Sequence, residues 1–259
     1  MKQGQTNIFE DKTQIMNPNG SSSIVLVCEH ATHFIPDIYS NLGLSSNNLK
    51  SHVAWDPGAA AVAQELSRVM DAVLVQGVVS RLLYDCNRPP SSPDAIPKRS
   101  EIIDIPGNHN LSALEKEERV QKYYKPFCTA LATVITKIKI PILVTIHSFT
   151  PVYFGKQRDT EIGILYDSDV RLADAMLKTA TNHSNGVVQS NEPYGPEHGV
   201  THTLVEHAIS NGHLNVMLEI RNDIIATHDQ QNAMAKIIAG WLIDACSQIN
   251  VKGNVQCIA

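Results

Sequence analysis

The chain has 259 residues, 43% of them hydrophobic and 18% charged, with a formal net charge of −5. That composition suits one large globular domain with apolar surface enough for a core. The acidic balance and the lack of any long Lys/Arg run exclude a nucleic-acid footprint, and the apolar runs fall far short of a membrane span. In chain order, residues 1–22 are polar and rich in Asn, Gln and Ser. They lack a secretory apolar core and predict a disordered arm rather than a signal peptide. Residues 24–29 read as the first strand, and Pro36 with the Asn/Ser-rich 40–48 as a loop. Asp56-Pro57-Gly58 opens a helix over 59–72, with Asp as cap and Pro in the first turn. A second strand follows over 73–79, broken at Gly77. Residues 88–109 carry five prolines, a long excursion of the kind that is usually functional or mobile. A helix spans 112–138, opened by a Ser112/Glu115 capping box and kinked or divided at Pro126. Strands over 140–146 and 161–166, a helix over 169–181, a Gly/Pro-rich loop over 182–199 and a helix over 201–211 come next. A strand over 215–220 and a helix over 228–247 close the chain. Strands alternating with helices predict an α/β fold over 23–250: one mixed, mostly parallel, twisted sheet with helices on both faces.

Three apolar runs end in groups that bind or use a metal: Ile24-Val25-Leu26-Val27-Cys28-Glu29-His30, Ile142-Leu143-Val144-Thr145-Ile146-His147 and Val216-Met217-Leu218-Glu219. Continuous apolar runs mark buried parallel strands, and open α/β sheets do their chemistry beyond the carboxyl ends of those strands. His30, His147 and Glu219 are therefore expected at one sheet edge, the ingredients of a hydrolytic zinc site. Asp56 has two readings of equal weight, a plain helix cap or a ligand carboxylate. Glu29 is expected to point away from His30 by strand alternation, and His33 is near enough to compete as a ligand. Arg81 and Arg88, with Asn87 between, are candidates for a bidentate carboxylate clamp, the alternative being a salt bridge to Asp85 or Glu101. A carboxylate in the apolar setting of Glu219 is costly unless paired, so Glu219 is either a general base or a structural group, with Arg221 pairing with it or with Asp223. The five cysteines, Cys28, Cys86, Cys128, Cys246 and Cys257, form no CxxC pair. They point to a reduced, cytoplasmic protein without a thiolate metal site.

With these residues in view, the chain resembles the N-formylglutamate amidohydrolase family. The matching segments are Cys28-Glu29-His30-Ala31 with Ile35-Pro36, Ala54-Trp55-Asp56-Pro57-Gly58-Ala59, Ser80-Arg81 with Tyr84-Asp85-Cys86-Asn87-Arg88-Pro89, and Ile146-His147-Ser148-Phe149-Thr150-Pro151-Val152-Tyr153. Asn191-Glu192-Pro193-Tyr194, Gly199-Val200-Thr201-His202-Thr203-Leu204 and Glu219-Ile220-Arg221-Asn222-Asp223 complete them. The resemblance implies a phosphorylase/hydrolase-like fold similar to zinc carboxypeptidases, aspartoacylase-like deacylases and cell-wall amidases. It implies one divalent ion, zinc, on His30, Asp56 and His147, with Glu219 as base and Arg81 polarising the acyl oxygen. Asn87, Arg88, Ser148, Tyr153 and Arg221 would bind a small anionic N-acyl amino acid, N-formyl-L-glutamate first. The third ligand stays open among Asp56, Glu29 and His33. Position 33 departs from the His-x-x-Glu of the carboxypeptidases, and Cys128 stands where many relatives carry His. The alternatives are a zinc hydrolase of another N-acyl amino acid, peptide or cell-wall amide, and a binding protein that kept the crevice.

Overall fold

The computed structural model describes residues 8–10 and 13–258. In chain order the described strands are β1 (Ile8–Glu10), β2 (Thr13–Met16), β3 (Ile24–Cys28), β4 (Val73–Gln76), β5 (Arg99–Ser100), β6 (Ile103–Asp104), β7 (Ile142–Phe149), β8 (Val152–Tyr153), β9 (Lys156–Gln157), β10 (Ile162–Leu165), β11 (Val188–Ser190) and β12 (Leu214–Arg221). The α-helices are α1 (Ser46–Lys50), α2 (Ala59–Met70), α3 (Ala113–Arg119), α4 (Lys125–Lys137), α5 (Arg171–His183), α6 (His202–His207) and α7 (His228–Gln248). Eight strands form one sheet in the order β1-β2-β4-β3-β7-β12-β10-β11, while β5–β6 and β8–β9 are separate hairpins. The central pairs β4–β3, β3–β7 and β7–β12 are parallel, as is β10–β11 at one edge. The other pairs, β1–β2, β2–β4 and β12–β10, are antiparallel. The sheet is thus mixed and mostly parallel, as the alternating pattern predicts.

The central strands are buried on both faces, which is why they read as unbroken apolar runs. All of β3 and all eight residues of β7 are buried. Alternation sends Ile24, Leu26, Ile142, Val144, Ile146, Val216 and Leu218 to one core, packed by α2, α5 and α7. Val25, Val27, Leu143 and Met217 go to the other core, beneath α4, α6 and the residues that follow β4. Side chains at 29, 147 and 219 continue the second set by the period of two.

Several expectations change. The disordered arm expected over 1–22 is ordered where it is described: β1 and β2 extend the sheet, and Gln14, Ile15 and Met16 pair with β4. Met16 is buried on the first core. Residues 1–7, 11 and 12 lie outside the described residues. Edge strands this short carry too few apolar positions for a clear period. The loop expected over 182–199 contains β11 for the same reason. Pro126 does divide its helix: α3 passes through a π turn, Val120–Tyr124, into α4, with Pro126 in the first turn. Proline has no N–H for the preceding turn, and a wider turn absorbs the missing bond. The 88–109 excursion is pinned rather than loose. Asn108 donates to the carbonyls of Leu82 and Pro97, at 2.8 and 2.7 Å, and accepts from buried Arg119 at 2.7 Å.

Candidate active site

Asp56 does not cap a helix. The N-cap of α2 is Gly58, in the left-handed region at φ +85°, with no side-chain cap. A Cβ there would stand 2.6 Å from the Ile225 carbonyl oxygen, so position 58 needs glycine twice over, for conformation and for space. With the turn made by Gly58, the Asp56 carboxylate is free to face the sheet edge. Its Oδ2 lies 3.2 Å from His30 Nδ1, 2.9 Å from His147 Nδ1 and 3.3 Å from the Ser148 N–H. The two Nδ1 atoms are themselves 3.2 Å apart. His30, Asp56 and His147 each bring one ligand-type atom within 4.8 Å of the others, and all three are buried.

The outward nitrogens of the two rings meet other carboxylates. His30 Nε2 lies 2.7 Å from Asp85 Oδ1, and His147 Nε2 lies 3.1 Å from Glu29 Oε2. Arg81 donates to Asp85 at 2.9 Å and reaches Asp56 at 3.5 Å. Burial opposes every one of these charges, but the mutual attraction wins. Asp56 is held well below the usual carboxylate range by His30 and His147, and Asp85 by His30, Arg81 and Arg88. Glu29 is lowered by His147. His147 is held well above the ordinary imidazole value by Glu29 and Asp56, and His30 is raised by Asp85 and Asp56. Glu219 goes the other way. Burial first, then Asp56, push it from 4.5 up to about 7, against the pull of His147, Arg81 and His30. One of its oxygens is buried with no hydrogen-bond partner. Glu219 stands opposite His147 in the β7–β12 register, so the sheet itself sets their separation.

His30, Asp56, His147 and Glu219 line a cavity of about 260 Å³, small for a ligand site, together with Arg81, Asn87, Arg88, Ser148 and Tyr153. The other expected residues fall in different places. Asn87 is buried with both ends of its amide on backbone: Nδ2 donates to the Val200 carbonyl at 2.5 Å, and Oδ1 accepts from Thr203 N–H at 2.9 Å. Arg88 is 8% exposed and donates only to the carbonyls of Asn87 and His198. Among the described residues it has no carboxylate in ion-pair reach. Arg221, expected at the substrate, does not line the cavity. β12 ends there, the chain turns into Asn222–Ile225, and the guanidinium takes Asp223 at 2.8 Å and Glu161 at 3.6 Å. Of the two ion pairs open to Arg221, the one with Asp223 forms and the one with Glu219 does not. His33 packs on Trp55, ring centroids 5.2 Å apart, outside the cluster. Glu29 points away from His30, as alternation predicts, and so meets His147. The far wall carries Tyr194, from the family-matching segment Asn191-Glu192-Pro193-Tyr194, together with His52, Glu101 and His198, for which local sequence held no signal. Arg158 braces that wall, its guanidinium 4.4, 4.9 and 5.5 Å from the rings of Tyr153, Tyr194 and Phe149. Gly163 lets the wall close in: a Cβ there would be 1.9 Å from the Glu192 carbonyl oxygen. A larger groove of about 670 Å³ lies at the amino ends of β7 and β12, rimmed by Lys139, Lys178 and Lys252, away from this chemistry.

A family model for N-formylglutamate amidohydrolase matches residues 22–226. Among solved structures, a gene product of Agrobacterium tumefaciens is 49% identical, with 92% of this chain and 96% of that one covered and a TM-score of 0.90. An N-formylglutamate amidohydrolase from Ralstonia eutropha JMP134 shares the fold at 16% identity, with 93% and 99% covered and a TM-score of 0.64. No curated protein gives a significant match.

Proposed function

Because the chain belongs to the N-formylglutamate amidohydrolase family, we propose that it hydrolyses the amide bond of a small, anionic N-acyl amino acid. The first candidate is N-formyl-L-glutamate, giving formate and L-glutamate. We propose further that one divalent ion, zinc, is held by His30, Asp56 and His147. The observation that carries both proposals is the convergence of those three side chains beside Glu219 in one cavity.

The donor set fits the ion. Two imidazoles and one carboxylate make a common hydrolytic zinc set, and each ring offers its inward Nδ1, with His30 Nε2 bonded to Asp85 and His147 Nε2 standing 3.1 Å from Glu29 without a hydrogen bond. The charge count fits as well. Glu29, Asp56, Asp85 and Glu219 are all buried, and once His30 and His147 are neutral, as ligands must be, Arg81 is the one guanidinium among the described residues bonded into that group. Such an excess of buried anion is costly without further positive charge. When bound, the ion would lower the pKa of water and polarise the acyl oxygen.

The rest is the work of this chain's own residues. Glu219, raised by burial, takes the proton of the attacking water and passes it to the leaving amine. Arg81, steered by Asp56 and Asp85, faces the cavity and stabilises negative charge growing on the acyl oxygen. Arg88, a buried guanidinium that forms no ion pair among the described residues and acts on Asp85 only from a distance, receives the substrate carboxylate as a planar fork. Ser148 and Tyr153 line the same space. Asn87 acts indirectly, holding residues 200 and 203 in place. All five cysteines are free, which supports a reducing, cytoplasmic setting, and no helix among the described residues is long and apolar enough to cross a membrane.

The test is a metal analysis followed by a screen of N-acyl amino acids with free and amidated carboxylates. Turnover of N-formyl-L-glutamate that disappears with chelator and returns with zinc is expected. Metal-free protein with full turnover overturns the zinc proposal. Equal kcat/KM for the free acid and its amide overturns the anionic-substrate proposal.

A further inference from the structure

Part of the cavity wall comes from segments outside the main sheet. His52 and Val53 follow α1, Ser100 and Glu101 belong to the β5–β6 hairpin, and Tyr153 belongs to the β8–β9 hairpin. Glu101 joins all three. Its Oε2 lies 3.0 Å from His52 Nε2, and its Oε1 accepts from the Phe154 N–H at 3.0 Å. Among the described residues no other hydrogen bond or ion pair links the two hairpins. Packing of the tips does not make this joint, because their apolar side chains face solvent: Ile102 is 66% exposed, Phe154 58% and Val152 44%. The backbone bends into a costly conformation to make it. Glu101 sits at φ +51° and Phe154 at φ +47°, while most other non-glycine residues in the left-handed region are Asn, Asp or Ser. Two-residue hairpin loops favour glycine or asparagine at such positions. At 101 that cost is offset by the two contacts of the carboxylate. The consequence is steric. The cavity, about 260 Å³, falls below the roughly 300–1,000 Å³ of ordinary ligand sites. Between the hairpins it is bounded by a side chain only 15% exposed, with both oxygens engaged. Parting the hairpins would open it toward Ile102, Val152 and Phe154, an apolar rim suited to longer groups.

We propose that Glu101 is a specificity-determining residue: by clasping the two hairpins and His52 together, it closes the cavity to N-acyl amino acids whose acyl group or side chain is larger than that of N-formylglutamate. This rests on the cavity being the substrate site of the proposed function, but the clasp itself can be read without substrate or metal.

The experiment compares the full chain with Glu101→Asn and Glu101→Gln. Asparagine suits the left-handed backbone and is one methylene too short. Glutamine keeps the reach and the acceptor oxygen. Hydrogen exchange of the Phe154 amide reads the clasp. On zinc-loaded protein, kcat/KM for N-formyl-L-glutamate, N-hexanoyl-L-glutamate and N-formyl-L-tryptophan reads the size limit. In Glu101→Asn the amide should exchange faster, and the ratio of at least one enlarged probe to N-formyl-L-glutamate should rise by roughly 10-fold or more. Glu101→Gln should keep both readings close to wild type. Glu101→Ala serves if the asparagine variant does not fold. Wild-type protein that accepts all three probes equally overturns the proposal, as do unchanged ratios in Glu101→Asn; a lowered Tm with unchanged ratios marks a structural tie alone. Wild-type protein that turns over none of the probes overturns the proposed function instead. Calorimetric binding of the same probes to metal-free protein then reads the size limit, with the same change in ratio expected. Unchanged binding ratios, or no binding, overturn the part given to Glu101 as well.

Discussion

Replacing Glu219 with glutamine should make the metal-free protein more stable and the enzyme nearly inactive. Burial lifts this carboxyl from 4.5 to about 7. The folded chain therefore holds its proton more tightly than the unfolded chain does. The stabilising contribution is complete below pH 4.5 and is lost as pH rises to about 7, beyond which the ionised group is a fixed penalty. At about 1.36 kcal/mol per pH unit, the rise corresponds to about 3 kcal/mol. Glutamine cannot ionise and escapes that penalty, but its buried amide keeps an unsatisfied polar atom, which takes back about 1 kcal/mol. The net gain is about 2 kcal/mol, which shifts Tm by roughly 4–8 °C in a chain of this size. Thermal unfolding of chelator-stripped protein at pH 5 and pH 8 measures it: the variant's advantage should be present at pH 8 and shrink at pH 5. On zinc-loaded protein, kcat should fall by roughly two to four orders of magnitude, the range for a lost general base. A glutamine variant that is less stable than wild type at pH 8 would refute the reasoning, because Glu219 would then be a satisfied structural anion.

The remaining predictions concern the ion, the substrate and the backbone. Protein purified without chelator should carry about one divalent ion per chain, and His30→Ala and His147→Ala should each lose most of it by elemental analysis. Full metal content in both variants would count against the site. Arg88→Lys should raise KM for the free acid roughly 10- to 100-fold, since one ammonium cannot replace a charged fork, while the amidated substrate barely changes. Gly77→Ala should cost about 1–3 kcal/mol by urea unfolding, because the new methyl must displace the Glu29 carbonyl. It should weaken zinc binding in the same preparation, and a variant of normal stability would mean that this contact is slack.

The buried strands were legible because central parallel strands read as apolar runs, but their ends were not: β7 runs past His147 to Phe149 and β12 past Glu219 to Arg221. β3 ends two residues before His30, while His147 and Glu219 sit inside β7 and β12. Asp56 was visible in Asp-Pro-Gly, but its part was not, since a cap and a cavity-facing carboxylate look alike until Gly58 is seen to make the turn. Arg221 misled because a spacing of two implies a shared face only while the strand continues, and β12 stops at that residue. Glu29 and Asp85 were hidden for a different reason. Each acts on a ring far away in sequence, and nothing local distinguishes such a carboxylate from an ordinary ion-pair partner. The edge strands β1, β2 and β11 were missed because three or four residues are too few to display a period.

The distances along the chain that the cluster spans have a consequence for kinetics. His30 meets Asp56 across 26 residues, Asp85 across 55 and His147 across 117, and His147 reaches Asp56 across 91. Contacts of such high order close late, after the loops between them have been organised. No early hairpin or helix pair contains two of the three converging side chains. An ion held there would have little to grip in the folding transition state and would act almost wholly on the finished molecule. Its presence should slow the rate of unfolding and leave the rate of folding nearly unchanged.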